Sequence, residues 1–341
     1  MTTKYNLAVL GATGVVGETV LEILAKRKFP VQNVFALASE RSVGSTVLFG
    51  NKVLDVLDVK DFDFAQADLA IFSAGAKVSA MYAPKAAAAG CVVIDNTSHF
   101  RNDPDVPLII PEVNPESIAD YKQRNIIANP NCSTIQMLVA LKPIYDAVGI
   151  KKITVATYQS VSGTGRAAIS ELIAQSMSLL NGKPVVAEVY PRQIAFNVIP
   201  QIDEFMDNGY TREEMKMLWE TRKIMHDPNI IVNATTVRVP VVYGHSEVVT
   251  IETKTPLVAA VARELLQASP GVKVIDDFKN GKYPTPIDDA VGNDPVYVGR
   301  IRNGIDDDHT LNMWVVSDNI RKGAALNSVQ IVELLIEKYL S

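Results

Sequence analysis

A cysteine beside a tight turn is the residue in this sequence best suited to covalent chemistry. Cys132 follows an Asn-Pro-Asn turn at residues 129–131. Ile135, Leu138 and Val139 then recur at helical spacing, which predicts a helix beginning at or near Cys132. The free N–H groups and positive dipole end of a helix favour a thiolate, and a thiolate can form a thioester. The alternative is a small cysteine that only packs beneath a helix.

A histidine and an arginine in the C-terminal half are further candidates. His245 lies between two β-rich runs, residues 230–241 and 246–254, which we predict to form a hairpin with His245 on the turn side. Histidine titrates near neutral pH with little tuning, so it suits acid–base work. Arg238 is embedded in the first run, where a charge is costly unless paired. It therefore either lies on a solvated face or binds an anionic ligand.

Other charged residues could bind an anion or a cation. Arg101 lies just beyond a predicted strand, where open α/β sheets bind ligands. Its guanidinium suits a phosphate or carboxylate, and a lone surface arginine is the alternative. Glu213 and Lys216 share one face of the helix predicted over residues 211–225, and a solvent-facing ion pair would explain that spacing equally well.

A glycine-rich turn near the N-terminus indicates a nucleotide site. An apolar strand, residues 6–10, precedes Gly11, Gly14 and Gly17, and a helical pattern follows. Strand, glycine turn and helix together can hold a pyrophosphate at the helix N-terminus, although a tight turn without a ligand is possible. The next strand ends in Ser-Glu-Arg-Ser at residues 39–42. The arginine between two hydroxyls favours NADP over NAD, with a solvated polar loop as the alternative.

The elements that must position these residues fall into two kinds. Alternating strand and helix patterns up to about residue 130 predict a parallel, doubly wound sheet. Consecutive strands with intervening helices after Cys132 predict an α+β domain with a mixed or antiparallel sheet. The last helix, residues 324–339, is apolar along one stripe and is expected to pack on the first domain.

Composition restricts the function classes. A chain of 341 residues with 48% hydrophobic and 21% charged residues is long enough for two globular domains. Its net charge of −5 argues against nucleic acid or a membrane surface as a partner. We expect no signal peptide, no membrane span and no metal site. Two cysteines suit a reducing cytoplasm, and Cys91 is expected to pack in the core.

Along its whole length the chain resembles the aspartate-β-semialdehyde dehydrogenase family. The cysteine segment followed by Gln-x-x-Ser-Gly is the most specific part of this resemblance. The segments that carry it are residues 11–17, 39–42, 129–134, 159–163, 213–216 and 238–245.

The resemblance implies an enzyme that reduces L-aspartyl 4-phosphate to L-aspartate 4-semialdehyde with NADPH and releases phosphate, on the route to lysine, threonine and methionine. It implies that Cys132 carries the acyl group, His245 is the acid–base residue and Gln159 orients the substrate. The substrate-binding residues it implies are Arg238 for the α-carboxylate, Glu213 for the ammonium, Arg101 and Lys216 for the phosphate, and Asn131.

The resemblance also implies a cofactor site and an architecture. The NADP-binding residues would be Gly11, Thr13, Gly14, Val15, Val16, Ser39, Arg41, Ser42, Ser162, Gly163 and Asn319. The fold would be a Rossmann domain, residues 1–131 plus 319–341, and a catalytic and dimerisation domain of the glyceraldehyde-3-phosphate-dehydrogenase-like type, residues 132–318. The assembly would be a homodimer, with a dimer of dimers left open.

Three rival functions remain at this point. An N-acetyl-γ-glutamyl-phosphate reductase would use the same cysteine and histidine, but its substrate has no ammonium for Glu213 to bind. A glyceraldehyde-phosphate dehydrogenase would need a second phosphate site. An inactive Rossmann-fold regulatory homologue would not need an intact Cys132 and His245.

Overall fold

The computed structural model describes residues 3–340, which fall into two compact units. The first joins Met1–Asn131 to Ala324–Ser341, and the second is Cys132–Gly323. The predicted return to the first domain, at residue 319, lies five residues before the division in the structure. The difference arises because Asn319 bonds within the second unit, where its Oδ1 accepts the Gly244 N–H at 2.9 Å.

The first unit contains a seven-stranded sheet in the order β3-β4-β2-β1-β5-β6-β7. All its pairings are parallel except that of β3 with β4. The strands are β1 (Tyr5–Leu10), β2 (Val31–Ala38), β3 (Thr46–Phe49), β4 (Lys52–Asp58), β5 (Leu69–Phe72), β6 (Val92–Asp95) and β7 (Ile126–Ala128). β5 and β6 are buried throughout, as expected for parallel strands covered on both faces. The predicted doubly wound sheet is confirmed, with an antiparallel β3 at its edge that the sequence patterns did not indicate.

The helices of the first unit are α1 (Val15–Lys26), α2 (Ala76–Ala88) and α7 (Leu326–Leu335). Leu326, Val329, Val332 and Leu335 of α7 belong to the same buried cluster as the strands of this sheet. The predicted packing of the last helix on the first domain is therefore confirmed. Its apolar stripe explains why the end of the chain returns to this unit.

The second unit contains a six-stranded mixed sheet in the order β11-β12-β13-β10-β8-β9. Its strands are β8 (Ile150–Gln159), β9 (Ile231–Arg238), β10 (His245–Thr253), β11 (Val272–Val274), β12 (Val296–Gly304) and β13 (Asp307–Ser317). Its helices are α3 (Cys132–Val148), α4 (Arg166–Leu180), α5 (Arg212–Ile224) and α6 (Ala259–Gln267). The predicted α+β organisation is confirmed.

The predicted hairpin around His245 is wrong, because β8 lies between β9 and β10. β9 pairs with β8 in parallel, and β10 pairs with β8 in antiparallel orientation. An alternating pattern identifies a strand but not its neighbour, so the sequence could not show this order. In the observed register Gln159 lies opposite Arg238, and His245 lies opposite Ser317. Four strand ends therefore meet at one end of this sheet.

No helix within residues 3–340 is long and apolar enough to cross a membrane.

Candidate active site

The nucleophile candidate is the first residue of a helix. α3 begins at Cys132, as the sequence predicts, and the Cys132 side chain is partly accessible. Most side chains of the first turns of this helix are buried, so the helix end is held firmly in the unit. The backbone N–H groups of such an end stabilise a negative charge on sulfur.

The other cysteine is unsuited to nucleophilic attack. Cys91 is fully buried, and burial, assisted by the charge of Asp68, raises the pKa of its thiol to about 12. It stays a thiol at physiological pH. This confirms the expectation that Cys91 packs in the core.

His245 is held in one tautomer by the backbone of the neighbouring strand end. It is fully buried at the start of β10, and its Nδ1 accepts the Ser160 N–H at 3.1 Å. The Ser160 hydroxyl lies 3.0 Å from the same nitrogen and 3.1 Å from Asn319 Oδ1. Because Nδ1 is an acceptor, the neutral ring carries its proton on Nε2. Nε2 has no hydrogen-bond partner among the described residues.

The structure corrects one expectation about His245. Burial, assisted by the positive charge of Arg238, lowers the pKa of its imidazole from 6.5 to about 3. A cationic ring would also need to donate from Nδ1 towards an N–H group that cannot accept. The expectation that His245 titrates near neutral pH is therefore wrong, and the ring is a neutral Nε2–H donor at physiological pH.

Arg238 does not lie on a solvated face. Its residue is 5% exposed at the end of β9. Nη1 donates a 2.6 Å hydrogen bond to the Ser160 carbonyl, and the guanidinium carbon lies 5.8 Å from the centre of the Tyr190 ring. Nε has no partner in the part of the chain that the structure describes. A buried arginine with an unused donor suits an anionic ligand.

The turn after β8 passes close to both of these side chains. A Cβ on Gly163 would lie 3.2 Å from Arg238 Nη1 and 3.4 Å from His245 Nε2. Only a residue without a side chain leaves that space open. Ser162 lies in the same turn and donates to Asn319 Oδ1 at 3.2 Å. Ser162, Gly163 and Asn319, which the resemblance assigns to the cofactor, are therefore next to His245.

A second polar cluster surrounds Gln159 at the end of β8. Its Nε2 donates to Ser133 Oγ at 2.8 Å and to Glu213 Oε1 at 3.2 Å. Glu213 Oε2 lies 3.0 Å from Lys216 Nζ, and that amine also contacts Asp203 at 2.8 Å. Burial works against the charged amine, yet Glu213 and Asp203 raise the pKa of Lys216 above its usual value. The Glu213–Lys216 pair is largely buried, so the alternative of a solvent-facing ion pair does not hold.

The neighbouring Glu214 has a structural task. Its Oε2 accepts the Thr211 N–H at 2.7 Å in a capping box, and its Oε1 accepts the Thr236 N–H at 2.9 Å. Both oxygens are used by the backbone. Glu213 is consequently the acid of this pair that faces the Gln159 cluster.

Two predicted substrate residues lie in the first unit. Arg101 is 8% exposed; its Nε donates to the Asn129 carbonyl and its Nη2 to the Asn96 carbonyl, each at 2.9 Å. Asn131 is 6% exposed and is the last residue of this unit. These bonds fix the guanidinium at the carboxyl ends of β6 and β7.

The glycine turn of the first unit fits a dinucleotide. Gly11 has φ +87°, which a side chain rarely adopts, and a Cβ on Gly17 would lie 2.1 Å from the Gly11 carbonyl oxygen. The N-cap of α1 is Gly14, which has no side chain to cap the following N–H groups. Val15 and Val16 open the helix behind it. The turn can therefore bring its backbone close to a pyrophosphate.

The residues predicted to bind the adenosine ribose lie at the end of β2. Ser39 and Arg41 are exposed, and Ser42 Oγ lies 3.4 Å from Thr13 Oγ1 of the glycine turn. Ser42 and Thr13 are thus neighbours, and Arg41 is accessible. This arrangement suits an adenosine ribose next to the pyrophosphate turn.

Sequence reasoning missed three residues of the site. Ser160 orients His245 and Arg238 through its backbone, and no side-chain pattern reports that. Tyr190 covers the Arg238 guanidinium from a region without a recognisable motif. A Cβ on Gly323 would lie 2.7 Å from the Cys132 Cβ, a contact between residues distant in the chain.

Family models match both units. Residues 6–121 match a model described as semialdehyde dehydrogenase, NAD binding domain, and residues 141–322 match semialdehyde dehydrogenase, dimerisation domain. The chain is also 62% identical over 340 residues to an aspartate-semialdehyde dehydrogenase of Legionella pneumophila. That alignment covers 100% of this chain and 98% of the relative.

Solved structures resemble the chain over nearly its full length. Aspartate semialdehyde dehydrogenase II of Vibrio cholerae, complexed with ASA, is 58% identical with a TM-score of 0.97 and covers 99% of this chain and 100% of that one. An aspartate semialdehyde dehydrogenase of Candida albicans with NADP is 26% identical with a TM-score of 0.77 and covers 98% of each chain.

Proposed function

Because the chain belongs to the aspartate-semialdehyde dehydrogenase family, we propose that it reduces L-aspartyl 4-phosphate to L-aspartate 4-semialdehyde with NADPH, reversibly. One observation carries this proposal. A cysteine that begins a helix shares one unit with a buried Nε2–H donor and a buried arginine with an unused N–H. The relatives disfavour a reductase for N-acetylglutamyl phosphate and an inactive regulatory homologue.

The first chemical step belongs to Cys132. Its thiolate forms a bond to the acyl carbon, and the bond from that carbon to the phosphate oxygen breaks. Phosphate leaves with the electron pair and takes its proton from water at neutral pH. NADPH, when bound, supplies the hydride that reduces the resulting thioester. Release of the aldehyde returns Cys132 as a thiolate, so the cysteine needs no net proton over the cycle.

His245 acts in this proposal as a fixed hydrogen-bond donor. The Nε2–H group stabilises negative charge that develops on the reacting acyl group. In this proposal the ring keeps its Nε2 proton, because Nδ1 accepts the Ser160 N–H and the neutral ring would become an anion by losing the proton from Nε2. We therefore propose a hydrogen-bond donor in place of the acid–base group predicted from the sequence.

The substrate charges match the charged residues of the cluster. Arg238 would bind the α-carboxylate through its unused donor, and Glu213 would bind the ammonium. Lys216 and Arg101 would bind the phosphate, and Gln159 would orient the acyl group between Ser133 and Glu213. Asn131 is assigned to the substrate by resemblance.

NADP is the proposed cofactor. The glycine turn would hold the pyrophosphate, and the exposed Arg41 with Ser39 and Ser42 would bind the 2′-phosphate. The Candida albicans relative with NADP supports this choice. Ser162, Gly163 and Asn319 would contact the cofactor from their place beside His245.

The proposed assembly is a cytoplasmic homodimer, with a dimer of dimers left open. Residues 141–322 match a dimerisation-domain model. The helix α4 in that region exposes Ile173, Met177 and Leu180, which recur at helical spacing. An exposed apolar stripe of this kind is what a subunit interface covers.

A paired assay tests the proposed function. L-Aspartate 4-semialdehyde should be oxidised in the presence of phosphate and NADP+, and N-acetylglutamate semialdehyde should react at least about a hundredfold more slowly, because Glu213 would face no ammonium. Repeating the assay with NAD+ tests the cofactor, and R41A should lose selectivity for NADP+ by about tenfold or more. Preferred oxidation of the acetylated semialdehyde would contradict the proposal.

A further inference from the structure

A second pair of polar side chains lies directly behind the nucleophile and the histidine. Gln136 follows Cys132 by one helical turn on α3, and Glu247 follows His245 by two residues on β10. The first spacing puts Gln136 on the same helix face as Cys132, and the second puts Glu247 on the same strand face as His245. Gln136 is 1% exposed and Glu247 is fully buried. The proposed mechanism uses neither residue.

The two side chains face each other without other partners. The Gln136 amide lies beside the Glu247 carboxyl. Within residues 3–340, no polar atom of either side chain has a partner at full hydrogen-bond geometry, the other side chain included. The strand neighbours of Glu247 in the sheet, Thr157 and Val315, carry no charge. A buried carboxylate with no cation beside it is costly, so the acid is neutral there.

A neutral acid and an amide are complementary. The carboxyl O–H can donate to the amide oxygen and the amide N–H can donate to the carboxyl oxygen, so the two groups can form two bonds in one plane once they close to hydrogen-bond distance. Burial raises the pKa of Glu247 well above its ordinary value, and the adjacent Gln136 amide works against that rise. Such a pair fixes both distance and direction between α3 and β10, whereas two apolar side chains would fix only the distance.

We propose that Glu247 and Gln136 are positioning residues that set the first turn of α3 against the start of β10. The pair holds Cys132 Sγ at a fixed place relative to the His245 Nε2–H group. This inference rests on the proposed function, since it concerns the alignment of the same two groups. It explains why a polar pair is kept at a site where a well-packed apolar pair would be as stable or more stable.

Three variants separate this role from simple core packing. E247Q keeps the shape and can still exchange two hydrogen bonds with Gln136. E247L keeps the approximate volume but removes both bonds. T221V is the matched control, because Thr221 Oγ1 is another buried polar atom without a partner among the described residues, and it lies on α5 outside the pair.

The readouts are kcat, KM for L-aspartate 4-semialdehyde, melting temperature and the rate of Cys132 alkylation by iodoacetamide. We expect E247Q and T221V to keep kcat within about threefold of the parent. E247L should lose about 10- to 100-fold in kcat, as expected for a misplaced reacting group, with KM changed less than about threefold. Its melting temperature should fall by a few degrees, because the Gln136 amide is left buried and unpaired, and its alkylation rate should shift by about threefold or more.

Two results would contradict a positioning role for Glu247 and Gln136. E247L with parental kcat and parental alkylation would show that the pair has no positioning role. A large loss in E247Q at parental melting temperature would show that the site needs an ionised carboxylate. If E247L does not fold, Q136M takes its place with the same expectations. If the parent does not oxidise the semialdehyde, the proposed function fails, and the alkylation rates still decide the role of the pair.

Discussion

At the scale of single residues, the chemistry depends on which atom holds a proton. The Ser160 N–H fixes Nδ1 of His245 as an acceptor, and the Arg238 charge nearby disfavours an imidazolium. In the proposed mechanism, activation of Cys132 therefore relies on the N-terminus of α3 more than on an imidazolium partner. This distinguishes the site from a cysteine–histidine ion pair.

A titration of His245 tests its charge state. Because its folded pKa is about 3, the ring signals of His245 in NMR spectra should not shift between pH 5 and pH 8. His309, which is half-buried and lies 3.1 Å from the Thr253 carbonyl, provides a histidine outside the site for comparison. H245A should lower kcat by about 10²- to 10³-fold, as expected for the loss of one donor to developing negative charge, while H309A should leave it nearly unchanged. A His245 midpoint near pH 6.5 would contradict this assignment.

The lowered pKa of His245 also makes the free energy of unfolding depend on pH. Between pH 6.5 and about 3 the unfolded chain binds a proton at His245 that the folded chain does not. His245 therefore lowers the free energy of unfolding as the pH falls through that window and has no such effect above it. H245A should make the unfolding free energy fall less steeply in acid, which urea titrations at several pH values can measure.

Arg238 gives a second prediction at this scale. A lysine cannot reproduce two parallel bonds to a carboxylate, so R238K should raise KM for the semialdehyde by about tenfold and also lower kcat. The affinity for phosphate should hardly change, because that anion is assigned to Arg101 and Lys216. Steady-state kinetics with each substrate varied in turn would measure both constants. If R238K weakened phosphate binding but bound the semialdehyde normally, Arg238 would have to be assigned to the phosphate instead of the carboxylate.

At the scale of elements, the site is made by strand ends that are distant in sequence. Helical spacing and the Asn-Pro-Asn turn were sufficient to predict where α3 begins, and the glycine spacing was sufficient to predict the β1-turn-α1 unit. The order β10-β8-β9 could not be predicted, because a hairpin and a crossover have the same alternating pattern. The tautomer of His245 depends on that order, so it too was hidden from the sequence.

The close approach of Gly323 to α3 gives a prediction at this scale. A Cβ there would lie 2.7 Å from the Cys132 Cβ, so G323A should displace the first turn of the helix. We expect kcat to fall by about 10- to 100-fold, since small shifts of a reacting atom are costly. The melting temperature and NADPH affinity serve as controls for a general loss of structure. An alanine variant with parental kcat would show that the helix accommodates the methyl group without consequence.

At the scale of the whole molecule, two units with separate cores divide the work. The first contains the nucleotide turn, and the second contains the cysteine, the histidine and the surface matched by a dimerisation model. Alternating strand and helix patterns predicted the first architecture well because its strands are mostly parallel, and parallel strands need crossover connections that are usually helical. Surface roles were harder to predict, because an apolar stripe on α4 has the same sequence pattern whether it faces a core or a partner.

The proposed dimer interface on α4 can be tested by adding a charge to that stripe. L180E places a charge where Leu180 is 77% exposed, which a monomer tolerates and an apolar interface does not. We expect the variant to sediment as a monomer at concentrations where the parent is a dimer. L48E is a control of the same chemistry at an exposed leucine of the first unit, and it should leave the parent assembly intact. If all three proteins sedimented equally, α4 would not be part of the interface.

Trapping the acyl group tests most directly whether Cys132 is the nucleophile. The protein is mixed with L-aspartyl 4-phosphate in the absence of NADPH, digested and examined by peptide mass spectrometry, with C132A and C91A treated in parallel. We predict an aspartyl adduct on the peptide containing Cys132 in the parent and in C91A, and none in C132A. An adduct on Cys91, or a parent enzyme that turns over without any adduct, would show that Cys132 does not carry the acyl group.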